Sequence, residues 1–270
     1  MFGRKRSRKV AALTTEVDYA GRQVLGRRAD QEDSYGIVPP DALDEDDSVL
    51  LIVADGMGGH SAGEVASDIA VETFSQAFLE AESDIPAAKL WDALEEANRE
   101  IGKAIESDRS TLEGMGTTLV AVLIRGSRFQ WISVGDSLLF LVRDGEVERL
   151  NAAHLWAHKL DEDAKEGRIT QAEAEADPRR PTLNSALVGE SIFEVDDSGE
   201  MELHHSDILV VATDGVEVLP DKELASACGD FNSDPADRMA EEILNLVKSK
   251  EKPNQDNSTV IVFKVPGKKR

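Results

Sequence analysis

The stretch Ser48-Val49-Leu50-Leu51-Ile52-Val53-Ala54-Asp55-Gly56 decides how the chain is read. It is an unbroken apolar run of strand length, so Ser48–Ala54 is expected to be a buried strand that ends in Asp-Gly. A second run of the same kind, Asp207–Thr213, ends in Asp214-Gly215. An aspartate at the end of a buried strand is held rigidly, with its carboxylate at the sheet edge. The glycine after it lets the chain turn and lets a backbone carbonyl approach a ligand. One Asp-Gly pair means little, because it is also an ordinary turn. Here Gly135-Asp136-Ser137 and Gln255-Asp256-Asn257 add two more aspartates at strand boundaries.

The flanking segments fix the class. A helix is expected from about Ser61, with Ala66, Ala70, Phe74 and Phe78 on one face. Another should start near Pro86 and bury Trp91, Leu94, Ile101 and Ile105. Gly116–Leu150 breaks into three apolar runs and a short fourth, separated by Gly-containing tripeptides, which predicts a β-meander of antiparallel hairpins. Residues 155–180 are charged and poor in large apolar groups, and read as short helices or a mobile excursion. Asp234 and Pro235 suit the N-cap and first position of a helix to about Lys248. Thr259–Val265 is a final strand, and the acidic run Asp41–Asp47 a solvated loop. The order gives an α+β fold with antiparallel sheet and segregated helices.

The chain has 270 residues, with 53 acidic against 30 basic side chains. A formal net charge of −23 argues against general affinity for nucleic acid. Most of the acidity is solvated surface. The single cysteine, Cys228, makes no intrachain disulfide and no cysteine-based zinc site; it reads as a core residue in a reducing, cytoplasmic compartment. The basic start, Met1 to Val10, is followed by no apolar segment of a secretory signal, and no membrane span is expected.

If the strand-end aspartates meet at one edge, they raise each other's pKa unless a cation joins them. An all-oxygen donor set points to Mg²⁺ or Mn²⁺ rather than a soft metal. At this point the chain resembles the PPM, or PP2C-type, metal-dependent protein phosphatases. The matching pieces run in order: Arg28-Ala29-Asp30-Gln31-Glu32-Asp33, Asp55-Gly56-Met57-Gly58-Gly59, Gly114-Met115-Gly116-Thr117-Thr118, Gly135-Asp136-Ser137, Thr213-Asp214-Gly215 and Asp256-Asn257-Ser258-Thr259.

The resemblance implies two antiparallel β-sheets in a central sandwich, flanked by helices on both faces. It implies one domain over residues 17–266, a flexible basic tail over 1–16 and a flap at about 152–190. Asp55 would bridge two Mn²⁺ or Mg²⁺ ions. The Gly56 carbonyl would bind one of them, with Glu32 acting there directly or through water. Asp214 and Asp256 would complete the other, and Asp136 with Asp214 would hold a weaker third. Asp33 would support the set by hydrogen bonding, and Arg28 would clamp phosphate. His60 either protonates the leaving alkoxide or orders a loop at a helix start. The implied activity is hydrolysis of phosphoserine and phosphothreonine in proteins by metal-activated water, opposing a Ser/Thr kinase, by a monomer. The alternative is a catalytically inactive module of the same fold that regulates a partner by binding.

The chain departs from the family pattern around the flap. Leu138 stands where Arg is usual, and Ala153-His154-Leu155 where Asp-His-Ser is usual; Leu183–Gly189 lacks an Arg and has one extra residue. His154, His158, His204 and His205 are expected to be solvated surface histidines.

Overall fold

The computed structural model describes residues 13–14, 18–43, 45, 47–59, 61–229 and 234–265. The first half of the chain forms β1 (Tyr19–Val24), β2 (Asp33–Val38), β3 (Ser48–Met57), α1 (Ala62–Glu80), α2 (Pro86–Ser107) and the single turn α3 (Arg109–Leu112). Next come β4 (Gly116–Thr117), β5 (Leu119–Arg125), β6 (Arg128–Val134), β7 (Leu138–Arg143) and β8 (Glu146–Arg149). The excursion expected to be the flap holds α4 (Trp156–Lys165) and α5 (Gln171–Ala176). The rest is β9 (Asp196–Asp197), β10 (Met201–Glu202), β11 (Ile208–Ala212), α6 (Asp221–Ala227), α7 (Ala236–Ser249) and β12 (Ser258–Lys264).

Period-two alternation explains why the apolar runs have no polar face. In β3, Leu50, Ile52 and Ala54 pack outward against α1 and α2, while Val49, Leu51 and Val53 face the opposite sheet. In β12, Val260 and Val262 pack outward against α6 and α7, while Ile261 and Phe263 face inward. Three cores result, one between the sheets and one under each helical layer. One sheet has the order β1-β12-β11-β7-β8; the other runs β10-β6-β5-β3-β2, with β4 on β3 and β9 on β6. Every pairing is antiparallel, and the expected helix-flanked sandwich is the observed one.

Four expectations need correction. The meander does not exist as one sheet: β5 and β6 form a hairpin in one sheet, whereas β7 and β8 belong to the other. Gly135-Asp136-Ser137 is therefore a crossover between sheets. A three-residue link with glycine suits a hairpin or a step between layers equally well, and only the pairing of β7 with β11 separates the two. Second, Asp55-Gly56 does not end its strand. β3 continues to Met57 because Gly56 and Met57 pair with Thr117 and Gly116. Third, Trp91 is 36% exposed rather than buried in the stripe of α2, and its Nε1 donates to Asp197 Oδ2 at 3.2 Å. Fourth, Pro235 is the N-cap of α7 and Ala236 its first residue, one position later than expected. The excursion takes the form of two short helices, α4 and α5.

Candidate metal centre

Antiparallel pairing brings the motif aspartates to one end of the sandwich. The C-terminal end of β11 pairs with the starts of both β12 and β7, through Ala212↔Val260 and Ala212↔Leu138. Asp214, Asp256 and Asp136 flank those three strand ends. In the other sheet Asp33 opens β2 directly opposite Asp55 near the end of β3. Asp33 also ties the sheets together, because its Oδ2 accepts from Thr213 Oγ1 and Thr259 Oγ1, both at 2.8 Å.

These carboxylates share one field. Burial pushes Asp55 well above the usual carboxylate range, and the charges of Asp33, Asp214, Asp256 and Asp136 push it further. Burial, then Asp136 and Asp256, takes Asp214 up to about 7. Asp33 reaches about 6 by burial, against the pull of its two threonines. Asp136 and Glu32 are also raised, mainly by burial. Asp33 Oδ1 and Asp214 Oδ1 are buried with no hydrogen-bond partner among the described residues.

Small residues make the edge tight. A Cβ on Gly56 would lie 2.1 Å from Gly63 O, and one on Gly63 would lie 2.5 Å from Glu32 Oε1. The Glu32 carboxylate is thus seated where α1 begins beside β3. Its backbone is pinned too: Glu32 O accepts from Gly56 N at 2.9 Å, and Glu32 N donates to Asn257 Oδ1 at 2.9 Å. Asn257 Nδ2 donates to Leu25 O and Asp30 O, which shapes the loop carrying Arg28. Arg28 Nη2 sits 2.5 Å from Asp256 Oδ2, with about half of the Arg28 side chain exposed.

The donor set fits a hard divalent cation: carboxylates and a carbonyl, two of the carboxylate oxygens buried and unpartnered. Among the described residues no group of three or more His, Cys, Asp or Glu side chains is placed to hold a metal ion as it stands. Arg28 is drawn onto Asp256, one member of the set, while Asp33 Oδ1 and Asp214 Oδ1 remain unpartnered among the described residues.

The structure brings Arg28, Glu32, Asp33, Asp55, Gly56, Asp136, Asp214 and Asp256 to this edge. His60 lies outside the described residues, as does most of the 1–16 tail. Cys228 is buried in the core, its thiol pushed up to about 12 by burial. His154 contradicts its expectation, being 1% exposed rather than a surface histidine. Sequence reasoning also gave no role to Thr118, whose Oγ1 accepts from Asp55 N at 2.9 Å and contacts Ser137 Oγ at 2.7 Å. Nor did it foresee Asn98 on α2, which accepts from Val188 N and Gly189 N near the end of the 152–190 excursion. Thr118, Thr213, Asn257 and Thr259 stand inside the recognised motifs, which was the available signal; Asn98 carries none.

Fold and edge together define a two-sheet sandwich with a carboxylate-lined end. The sequence model of the Protein phosphatase 2C family matches residues 21–257, and the chain belongs to that family. Serine/threonine protein phosphatase PstP of Mycobacterium tuberculosis is 36% identical over 184 residues, 68% of this chain and 33% of that protein. The chain thus matches about a third of that relative's length. Serine/threonine phosphatase stp of Listeria monocytogenes is 35% identical over 202 residues, 73% of this chain and 77% of that one. The crystal structure of the PstP catalytic domain in complex with two manganese ions superposes with a TM-score of 0.72 at 30% identity, covering 93% of this chain and 99% of that one.

Proposed function

We propose that this chain is a Mn²⁺- or Mg²⁺-dependent phosphatase that removes phosphate from phosphoserine and phosphothreonine in proteins, opposing a Ser/Thr kinase. The placement of Asp33, Asp55, Asp136, Asp214 and Asp256 at one end of the sandwich, with Asp33 Oδ1 and Asp214 Oδ1 buried and unpartnered among the described residues, carries this reading. Membership of the family supports it, as do relatives named for serine/threonine phosphatase activity.

In this reading Asp55 would bridge two ions. The Gly56 carbonyl and Glu32 would serve one ion, and Asp214 and Asp256 the other. Asp136 with Asp214 would hold a weaker third. When bound, the ions supply positive charge at the phosphoryl oxygens and acidify water for in-line attack on phosphorus. Asp33 acts through orientation, because its accepting bonds from Thr213 and Thr259 hold the two sheet ends in register. Arg28 leaves Asp256 and presents its guanidinium fork to the phosphate, a motion that its exposed side chain permits. His60 is assigned either proton donation to the leaving oxygen or ordering of its loop. A monomer and a cytoplasmic location go with this reading; among the described residues no helix is long and apolar enough to cross a membrane.

The test is phosphate release from a panel of phosphoserine, phosphothreonine and phosphotyrosine peptides with added Mn²⁺, in competition with a small phosphoester. Turnover of the first two classes is expected. A preference for the small ester, or no peptide turnover at saturating Mn²⁺, would sink the proposal.

A further inference from the structure

The three-residue crossover bearing Asp136 is held by one short segment. Each of its carbonyls accepts a hydrogen bond from residues between Arg149 and His154. His154 N donates to Gly135 O at 3.0 Å, Arg149 Nη2 to Asp136 O at 2.9 Å and Asn151 Nδ2 to Ser137 O at 2.8 Å. The Gly135 N–H is taken as well, because it donates to His154 Nδ1 at 3.0 Å. A backbone N–H can only donate, so Nδ1 is an acceptor, the ring is neutral and its hydrogen lies on Nε2. Burial favours that neutral form. Gly135 needs such holding: its φ is +99°, and a Cβ there would lie 2.6 Å from Thr118 Cγ2.

His154 is also where the flap begins and closes. Its carbonyl accepts from Asn184 N at 3.0 Å, and the next residue, Leu155, bridges Leu183. One buried residue therefore grips the Asp136 crossover with its ring and joins both ends of the flap with its backbone. We infer that His154 is a positioning residue for the metal centre: its Nδ1 fixes the backbone that aims Asp136 at Asp214, and ties that aim to the base of the flap. The inference rests on the metal-dependent reading above for its consequence, and on hydrogen-bond geometry alone for its cause. It departs from the expectation for this segment, because the imidazole works as a backbone acceptor and not as a solvated or metal-binding group.

The geometry allows a graded test. Asparagine places a carbonyl oxygen near the Nδ1 position, glutamine near the Nε2 position, and leucine offers no acceptor. Two readouts apply: hydrogen exchange of the Gly135 amide by NMR on metal-stripped protein, and Mn²⁺ binding by calorimetry. H154L and H154Q should each exchange the Gly135 amide about tenfold faster than wild type and bind their weakest Mn²⁺ about tenfold more weakly. H154N should stay within about threefold of wild type in both. If H154L does not fold, the contrast between H154Q and H154N decides. Unchanged Gly135 exchange in H154L or H154Q overturns the inference. So does faster exchange with an unaltered Mn²⁺ isotherm, and so does an equal loss in all three variants. A wild type that takes up no Mn²⁺ overturns the proposed function, while the metal-free exchange pattern still judges the clamp separately.

Discussion

Asp214 and Asp177 are the same residue type in one chain, yet burial takes the first up to about 7 while hydrogen bonds from Arg179 take the second down to about 2. Asp177 belongs to the flap, where carboxylates meet arginines in water: Arg179 with Asp177, Arg180 with Asp161 and Arg168 with Asp163. Asp214 belongs to the sandwich edge, where five aspartates share one field, Arg28 pairs with Asp256 and Arg149 Nη2 reaches the Asp136 carbonyl. Flap charges are satisfied by the chain itself. Most edge charges meet no cation of the chain, which is the condition that the proposed metal-dependent reading requires.

The comparison breaks most readily at Asp55 and Asp214. Asp55→Asn and Asp214→Asn should lower phosphatase turnover on the order of 10³-fold, as measured by phosphate release at saturating Mn²⁺. The same substitutions should raise the melting temperature of the metal-free protein above neutral pH, because each removes a buried charge.

A pH series sharpens it further. Asp33 and Asp214 hold protons to about 6 and about 7 in the fold, against 3.8 for the ordinary aspartate of the unfolded chain. The folded, metal-free protein therefore binds more protons than the unfolded chain. Its stability contribution from these groups is complete below about pH 4 and lost as the pH rises through about 6 and 7. Thermal melts in a chelator should fall between about pH 5 and about pH 8, and added Mn²⁺ should flatten the fall. A metal-free melting temperature that rises across that range would contradict the burial of these groups.

Packing comes next in size. Gly63→Ala drives a methyl into the Glu32 carboxylate and should cost about 1–3 kcal/mol of stability, read from denaturant melts. Arg28→Ala should raise KM for a phosphopeptide about tenfold with a smaller change in kcat, since it removes a phosphate contact and leaves the carboxylates in place. At the other extreme, Arg180→Ala on the flap should leave the melting temperature unmoved, because its bond to Asp161 is a surface pair.

The same contrast governs what was legible in the sequence. Ser48–Ala54, Asp207–Thr213 and Thr259–Val265 announce themselves because strands buried on both faces are apolar through their middle, with polar residues only toward the ends. Asp55, Asp214 and Asp256 are legible because each flanks such a run, whereas Asp33 and Asp136 stand out only through the motifs that carry the family resemblance. What stays hidden is set by partners far away in the chain. Gly135-Asp136-Ser137 reads as a hairpin until β7 is seen to pair with β11, about seventy residues later. His154 looks solvated because its neighbours carry no apolar period, and its partner is the backbone of Gly135, which no side-chain pattern encodes. Trp91 fits a helical stripe by spacing but finds Asp197 at the surface. The grip of Asn98 on Val188 and Gly189 is equally silent, since a polar residue on a helix face ordinarily means solvent.

Mn²⁺ titration of metal-stripped wild type and Asp55→Asn, followed by phosphate release from a phosphothreonine peptide, tests the central claim most directly. The account predicts no release without metal, saturable release on adding Mn²⁺ to wild type, and almost none from Asp55→Asn. Release that persists in chelator, or an Asp55→Asn protein as active as wild type, would contradict it.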